Sequence, residues 1–153
     1  MTNPVLETIS RLRLAWRRFT KPLTLGVRCL VVRGDGHVLL VRHTYLPGWY
    51  LPGGGVERGE TLEAAVVREL QEEVGVMLRA RPQVFHAYSN FREYKSDHVV
   101  LFVAREFDVN FKANVEIAEH GFFAPSEPPP DISPATLRRL KEWLGSGDRE
   151  EMW

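Results

Sequence analysis

The chain has 153 residues, of which 44% are hydrophobic and 26% charged, with 20 basic and 20 acidic side chains. This length predicts one folded domain that buries enough surface to need neither disulfides nor structural zinc. The charge balance argues against a general nucleic-acid binder, which carries a basic excess. All apolar runs are strand-sized, shorter than the about 20 residues of a membrane span. We therefore expect a cytoplasmic protein in which Cys29 is a buried thiol.

The first 20 residues predict a separate N-terminal amphipathic helix. Apolar residues recur at helical spacing over residues 5–19, with arginines between them. The helix ends before Pro22, because proline disfavours the helical conformation of the preceding residue. Three roles are open for this helix. It packs across the domain or against a homodimer partner, it rests on an anionic membrane surface, or its arginines hold phosphates; we favour packing.

Residues 21–145 predict a mixed α/β domain. Residues 25–33 predict a strand, Gly34-Asp35-Gly36 a turn, and residues 37–42 the antiparallel partner of that strand. Three later segments have strand character: residues 84–88, 99–107 and 117–123.

Two helices are predicted in the same domain. The first covers residues 61–74 and ends at Gly75, a typical C-terminal stop. The second begins at Ser133, which caps it, with Pro134 in the first turn. The tail, residues 146–153, is polar, and we expect it to be frayed.

The helix over residues 61–74 carries a cluster of acids. At spacing i, i+3 and i+4, Glu69, Glu72 and Glu73 share one side, and an apolar side faces the core with Val66, Val67, Leu70 and Val74. Carboxylates about 6 Å apart repel by about 3 kcal/mol per pair at an effective dielectric of about 20. Such a face is either solvated or holds a divalent cation, and oxygen ligands favour magnesium, manganese or calcium over zinc. The upstream glycines 53–55, where backbone can approach a ligand closely, favour the cation.

The stretch from Gly54 to Val76 resembles the Nudix box. Five residues separate Gly54 from Glu60, and seven more lead to Arg68-Glu69-Leu70-Gln71-Glu72-Glu73-Val74-Gly75-Val76. The resemblance extends over about residues 25–144. It implies an α/β/α sandwich around a mixed β-sheet, with the box as a loop–helix–loop. It also implies a Nudix pyrophosphohydrolase that uses magnesium or manganese to cleave a pyrophosphate bond in a nucleoside diphosphate linked to another moiety.

The resemblance also assigns metal ligands by position. Glu72 and Glu73 match the main ligands, and the carbonyl of Gly54 is an additional one. Glu69 either ligates a metal or acts as the general base. When bound, the metal neutralises charge on phosphate oxygens and lowers the pKa of a bound water.

Two further roles follow from relatives of this kind. Arg68 and Glu60 would brace one another and orient the carboxylates. The general base is in some relatives a box glutamate and in others an acid on a loop beyond the sheet. Here Glu116 and Glu119 fall in that region, and we prefer Glu116 because it precedes the strand. The alternative for Glu116 is a loop acid in solvent.

The substrate is less well determined than the reaction. Arg28 and Arg42 are candidate phosphate partners, with ordinary ion pairs on a sheet surface as the alternative. Tyr94 lies where dinucleoside polyphosphate hydrolases tend to have tyrosine, whereas signatures of NADH, coenzyme A and ADP-ribose hydrolases are absent. Nucleoside triphosphates, nucleotide-sugars and dinucleoside polyphosphates stay open, all of them small molecules rather than nucleic acid. The alternative function is a catalytically silent nucleotide-sensing module, which the retained box carboxylates disfavour.

Overall fold

The computed structural model describes residues 23–92 and 97–153. The helix expected over residues 1–20 and the side chain of Tyr94 lie outside these described residues. Within these two ranges, seven strands and two helices follow in chain order: β1 (Thr24–Val31), β2 (Val38–His43), α1 (Leu62–Val74), β3 (Val76–Leu78), β4 (Gln83–Ser89), β5 (Asp97–Ala104), β6 (Phe107–Val109), β7 (Ile117–Phe123) and α2 (Pro134–Trp143). No helix among the described residues is long and apolar enough to cross a membrane.

The described strands pair into three sheets, of which the one formed by β1, β5 and β4 is mixed, and the pairing corrects one expectation. Strand β1 lies parallel to β5 along its whole length, β4 is antiparallel to β5, and β2 pairs antiparallel with β7. The predicted hairpin of β1 with β2 is wrong beyond a single bridge, Val32 to Val38. The turn at residues 34–36 brings the two strands together only at their ends. Both faces of β1 are apolar, as in strands buried between two layers, and this pattern suits a parallel neighbour.

The sheet separates two apolar clusters, each covered by one helix. Val27, Cys29 and Val31 of β1 pack with residues of α1 on one face. Leu30 of β1 packs with Leu140 of α2 on the other face. Alternate strand residues point to opposite sides of a sheet, so the helices cover opposite faces. The expected α/β/α sandwich around a mixed sheet is confirmed, and Cys29 is a buried free thiol whose pKa burial raises.

Both predicted helices are confirmed with their caps. Thr61 accepts a hydrogen bond from the Ala64 amide at 3.1 Å, and Gly75 adopts the left-handed conformation (φ 62°) that ends α1. Ser133 caps α2 in the same way, accepting from the Thr136 amide at 3.2 Å. The core-facing side of α1 differs from expectation at Val67, which is 37% exposed. Ala65 is buried in its place, so the buried side of α1 is turned about the helix axis toward Ala65 and away from Val67.

Two other expectations are corrected by tertiary contacts. The strand predicted over residues 99–107 is two strands, because β5 ends at Ala104 and β6 turns to pair with β3. The tail is not frayed. Met152 forms a parallel bridge with Ser89 at the end of β4, and Trp153 is only 9% exposed.

Candidate active site

A cavity of 540 Å³ lies at one end of the sheet, between α1 and the start of α2. The glycine loop before α1 and Arg28 of β1 form part of its wall. The loop before β7 and the first turn of α2 form other parts. The polar, charged and aromatic side chains in the lining are Arg28, His43, Tyr45, Tyr50, Glu69, Glu73, Asn90, Arg92, Glu116, Ser133, Thr136, Arg138 and Trp153. The cavity therefore brings acids from two parts of the chain together with arginines from three.

Glu73 is the buried acid of the site. Its side chain lies in the last turn of α1, and the residue is 7% exposed. One carboxylate oxygen accepts a hydrogen bond from the Gly53 amide at 2.8 Å. The pKa of Glu73 is raised to about 7, mainly by burial and to a smaller extent by the charges of Glu69 and Glu116, whereas the Gly53 hydrogen bond and Arg28 lower it. The ionised form of Glu73 is therefore destabilised by burial, and the nearby positive charge and hydrogen bond compensate for this only in part.

Glu69 lies one turn before Glu73 on the same wall. Its carboxylate packs directly over Gly54, so closely that a Cβ at Gly54 would lie 2.6 Å from all three carboxylate atoms. The carbonyl of Gly54 accepts a hydrogen bond from the Val27 amide at 2.9 Å, which leaves its second lone pair for a ligand. A side chain at position 54 would therefore displace the Glu69 carboxylate from this position.

Arg68 ties the acids to the glycine loop. Its guanidinium donates from Nε to Glu60 at 2.8 Å, from Nη1 to Glu69 at 2.8 Å, and from Nη2 to the carbonyl of Gly55 at 3.0 Å. Arg68 lowers the pKa of Glu60 to about 2, mainly through this hydrogen bond. The predicted contact between Arg68 and Glu60 is present, and the planar fork of the arginine fixes the orientation of Glu69.

Glu72 occupies a different environment from the other two box carboxylates. Its side chain is 62% exposed and does not line the cavity. One oxygen lies 3.4 Å from Nη1 of Arg68, the same nitrogen that contacts Glu69. Because both carboxylates contact this nitrogen, Glu72 lies at the rim of the site within reach of Glu69.

Glu116 lines the cavity from the loop before β7. Two contacts fix this loop. The side chain of Asn114 donates to the carbonyl of Glu72 at 2.7 Å and accepts from the amide of Glu116 at 2.7 Å. On the other side, the Thr44 amide donates to the carbonyl of Glu116 at 2.9 Å. The loop acid is thus anchored both to the end of α1 and to the end of β2.

The two candidate phosphate partners have different positions. Arg28 lines the cavity, and its guanidinium donates to the backbone carbonyls of Leu51 and Gly53. Arg42 lies outside the cavity lining, in ion pairs with Asp131 and Glu119, which is the alternative that the sequence left open for it. The site therefore includes Arg28 and does not include Arg42.

His43 and the second half of the cavity were not predicted from the sequence. His43 is buried in the wall between Arg28 and Glu116, and burial lowers its pKa. Arg138 and Trp153 also line the cavity, together with the first turn of α2. Nothing in the local sequence around these residues indicates a site, because they reach the cavity only through long-range packing.

Among the described residues, the acids of the site do not surround one common position for an ion. In the parts of the chain that the structure describes, no three acidic, histidine or cysteine side chains are arranged to hold an ion as they stand. Arg68 engages Glu69, and the Gly53 amide engages Glu73. These are the contacts expected of carboxylates that neutralise their charge with protein donors.

Comparison with known proteins gives a consistent result. A family model described as the NUDIX domain matches residues 22–144. An ADP-ribose pyrophosphatase from Methanocaldococcus jannaschii is 34% identical over 98 residues, which cover 61% of this chain and 57% of that protein. An 8-oxo-dGTP diphosphatase from Escherichia coli (strain K12) is 49% identical over 51 residues, 33% of this chain and 36% of that protein. The chain spans 34% to 57% of the length of the curated relatives it matches.

Solved structures share the fold. The crystal structure of a MutT NUDIX hydrolase from Burkholderia pseudomallei superposes with a TM-score of 0.68 at 26% identity. The superposition covers 79% of this chain and 98% of that one.

Proposed function

The chain belongs to the NUDIX family, and from this membership we propose that it hydrolyses a pyrophosphate bond in a nucleoside diphosphate linked to another moiety. The observation that carries the proposal is the buried carboxylate of Glu73, with Glu69 and Glu116 close enough to raise its pKa and Arg28 on the same wall. Relatives named for ADP-ribose, 8-oxo-dGTP and RNA all carry the name of a pyrophosphatase, pyrophosphohydrolase or diphosphatase.

The donor set fits magnesium or manganese. The acids of the site offer only oxygen atoms, which is the chemistry that these hard cations prefer. Glu73 is desolvated, and its ionised form needs more positive charge than the Gly53 amide and Arg28 supply. We propose that Glu69, Glu72 and Glu73 hold the ion, with the carbonyl of Gly54 as an additional ligand. When bound, the ion neutralises phosphate charge and makes a water molecule more acidic.

The remaining residues have roles that their contacts support. Arg68 and Glu60 orient Glu69, because the guanidinium fork fixes both carboxylates against the glycine loop. Glu116 accepts the proton of the attacking water at its carboxylate, since it lines the same cavity as Glu69 and Glu73 and its charge acts on Glu73. Arg28 binds a phosphate oxygen, because its guanidinium lines the cavity near Glu73 and its hydrogen bonds go to the neutral backbone carbonyls of Leu51 and Gly53.

The substrate proposal stays at the level of a class. A cavity of 540 Å³ is within the range of sites that bind small molecules, which is about 300–1,000 Å³. A nucleoside triphosphate, a nucleotide-sugar and a dinucleoside polyphosphate each place a diphosphate beside a nucleoside. We propose that the substrate is one of these three.

A substrate panel tests the activity. The full chain is incubated with members of each class in the presence of Mg²⁺ or Mn²⁺, and the products are separated and identified, which defines both the substrate and the bond that breaks. We expect turnover of at least one compound, and none after chelation. Tight binding of a nucleotide without turnover of any compound would refute the hydrolase and support the sensing module instead.

A matched pair of variants tests the ligand assignment. Glu73→Gln should lower turnover by orders of magnitude and leave the fold intact. Glu63→Gln is the control, because Glu63 lies on the same helix outside the cavity, paired with Arg81 on the surface. Wild-type turnover by Glu73→Gln would refute the assignment.

A further inference from the structure

The C-terminal segment from Ser146 to Trp153 forms part of the cavity wall. Its backbone is bound to the end of β4: Ser89 donates to the carbonyl of Glu151 at 2.8 Å, and Trp153 donates to the carbonyl of Ser89 at 2.9 Å. Asn90, the next residue after Ser89, lines the cavity. The segment therefore holds both Trp153 and the chain that follows β4 at the cavity.

A fully buried arginine anchors this segment. Arg139 of α2 is 0% exposed, and its guanidinium carbon lies 4.1 Å from the ring centre of Tyr88 and 5.5 Å from that of Trp153. It donates to the carbonyl of Met152 at 2.9 Å and pairs with Glu142 at 2.7 Å. A buried cation costs several kcal/mol unless it is paired and hydrogen-bonded, so these contacts specify one position for the segment.

The anchoring continues through Glu142. Its carboxylate accepts a hydrogen bond from the hydroxyl of Tyr88 at 2.7 Å and from the amide of Glu150 at 3.1 Å. The Trp153 ring lies 5.4 Å from the Tyr88 ring in an edge-to-face arrangement. Trp153 is thus a rigid wall residue rather than a mobile side chain at the surface.

Trp153 lines the same cavity as the acids that we propose bind the metal. The wall carries Glu69, Glu73 and Glu116, and it also carries Arg138 and Trp153. Trp153 also borders a second, adjoining cavity of 300 Å³ on the β1 and β5 side. An aromatic ring and a guanidinium are the groups that proteins use to pack against nucleobases.

We propose that Trp153 is a specificity-determining residue, against which the nucleobase of the substrate packs while the diphosphate lies at the acids. This inference rests on the proposed function, since it assumes a nucleotide substrate. Arg139 is a positioning residue that acts through Trp153. The segment from Ser146 to Trp153 therefore sets which nucleosides the cavity accepts.

The test separates recognition of the base from hydrolysis. Binding of the four ribonucleoside monophosphates and of ribose 5-phosphate, which lacks a base, is measured by calorimetry without metal. In the wild type we expect the best-bound monophosphate to bind more tightly than ribose 5-phosphate. Trp153→Ala should weaken that monophosphate about tenfold and leave ribose 5-phosphate unchanged. Trp153→Phe, which keeps an aromatic ring, should restore most of the affinity.

Two controls make the result specific. Trp143→Ala removes the tryptophan that ends α2 and packs on Phe85 and Arg105 outside the cavity, and it should leave nucleotide binding unchanged. If Trp153→Ala fails to fold, Trp153→Leu keeps the apolar bulk and should show the same loss of base discrimination. Thermal unfolding confirms that each variant is folded.

The outcomes distinguish this inference from the proposed function. Equal weakening of nucleotides and ribose 5-phosphate, or no change in either, overturns the role of Trp153, even if the wild type hydrolyses nucleotides. Loss of base discrimination in a protein that hydrolyses no nucleotide overturns the hydrolase and supports the nucleoside site. A wild type that neither binds nor hydrolyses any nucleotide overturns both.

Discussion

Replacing Gly53, Gly54 or Gly55 by alanine adds the same methyl group in three different surroundings. At Gly53 the new Cβ would overlap the carbonyl oxygen of Val27 and lie 2.9 Å from the Cα of Arg28, both of them backbone atoms that cannot rotate away. Its φ of 135° is also unfavourable for a residue with a side chain. Backbone strain of about 1–3 kcal/mol and overpacking of about 1–3 kcal/mol give a destabilisation of roughly 4 kcal/mol for Gly53→Ala.

The same change at Gly54 should affect the site rather than the fold. The obstacle there is the Glu69 carboxylate at 2.6 Å, the end of a side chain that can rotate. The carboxylate must move by about 1 Å to reach an ordinary contact, and a displacement of that size in an active site costs about 10²-fold in rate. We therefore expect Gly54→Ala to lose about 10²-fold in kcat/KM and less than about 1 kcal/mol in stability. Gly55→Ala meets nothing within 4 Å and should stay within about 0.5 kcal/mol of wild type.

Two measurements on the three variants check this reasoning. Urea unfolding gives the free energy of unfolding, and kcat/KM is measured with the substrate that the panel identifies. Gly53→Ala should be the least stable variant, Gly54→Ala the least active among those that are folded, and Gly55→Ala the control. If Gly54→Ala is destabilised as much as Gly53→Ala, or retains wild-type kcat/KM, then Glu69 does not depend on the space above Gly54 and the geometry of the proposed site is wrong.

Three other predictions concern the acids and their supports. Burial raises the pKa of Glu73 to about 7, so between about pH 4.5 and 7 the folded state of the metal-free protein keeps a proton that the unfolded chain has lost. The free energy of unfolding should therefore fall across this window by at most about 3 kcal/mol, and urea unfolding at pH 5 and pH 8 should show no such fall in Glu73→Gln. Arg68→Lys keeps the charge but loses the fork to Glu60, and steady-state kinetics should show kcat reduced at least tenfold with the fold intact by circular dichroism. Asn114→Ala releases the loop of Glu116 from α1 and should lower kcat more than it changes KM, whereas an unchanged kcat would mean that this contact does not serve the reaction.

The features that the sequence determined are local ones. The acids of α1 share a side because their spacing fixes their angular separation on any helix, and Thr61 and Gly75 set the ends of that helix through contacts within a few residues. The contact of Arg68 with Glu60 spans eight residues within one loop–helix unit, and the box motif was sufficient to predict it. Glu116 was chosen from the resemblance to relatives that use an acid on a loop beyond the sheet, and the structure places it in the cavity wall.

Tertiary structure decided everything that depends on partners far apart in the chain. Periodicity identified β1 and β2 as strands, but it did not identify their neighbours. In the fold β1 pairs with β5 and β2 pairs with β7, and these pairs complete the two apolar faces. Arg42 lies outside the site because it pairs with Asp131. The polar tail lies at the cavity because the buried guanidinium of Arg139, on α2, takes a backbone carbonyl of the tail as a hydrogen-bond partner. A polar sequence predicts exposure only when nothing else in the fold needs its hydrogen bonds, and that condition is set by packing across the whole domain.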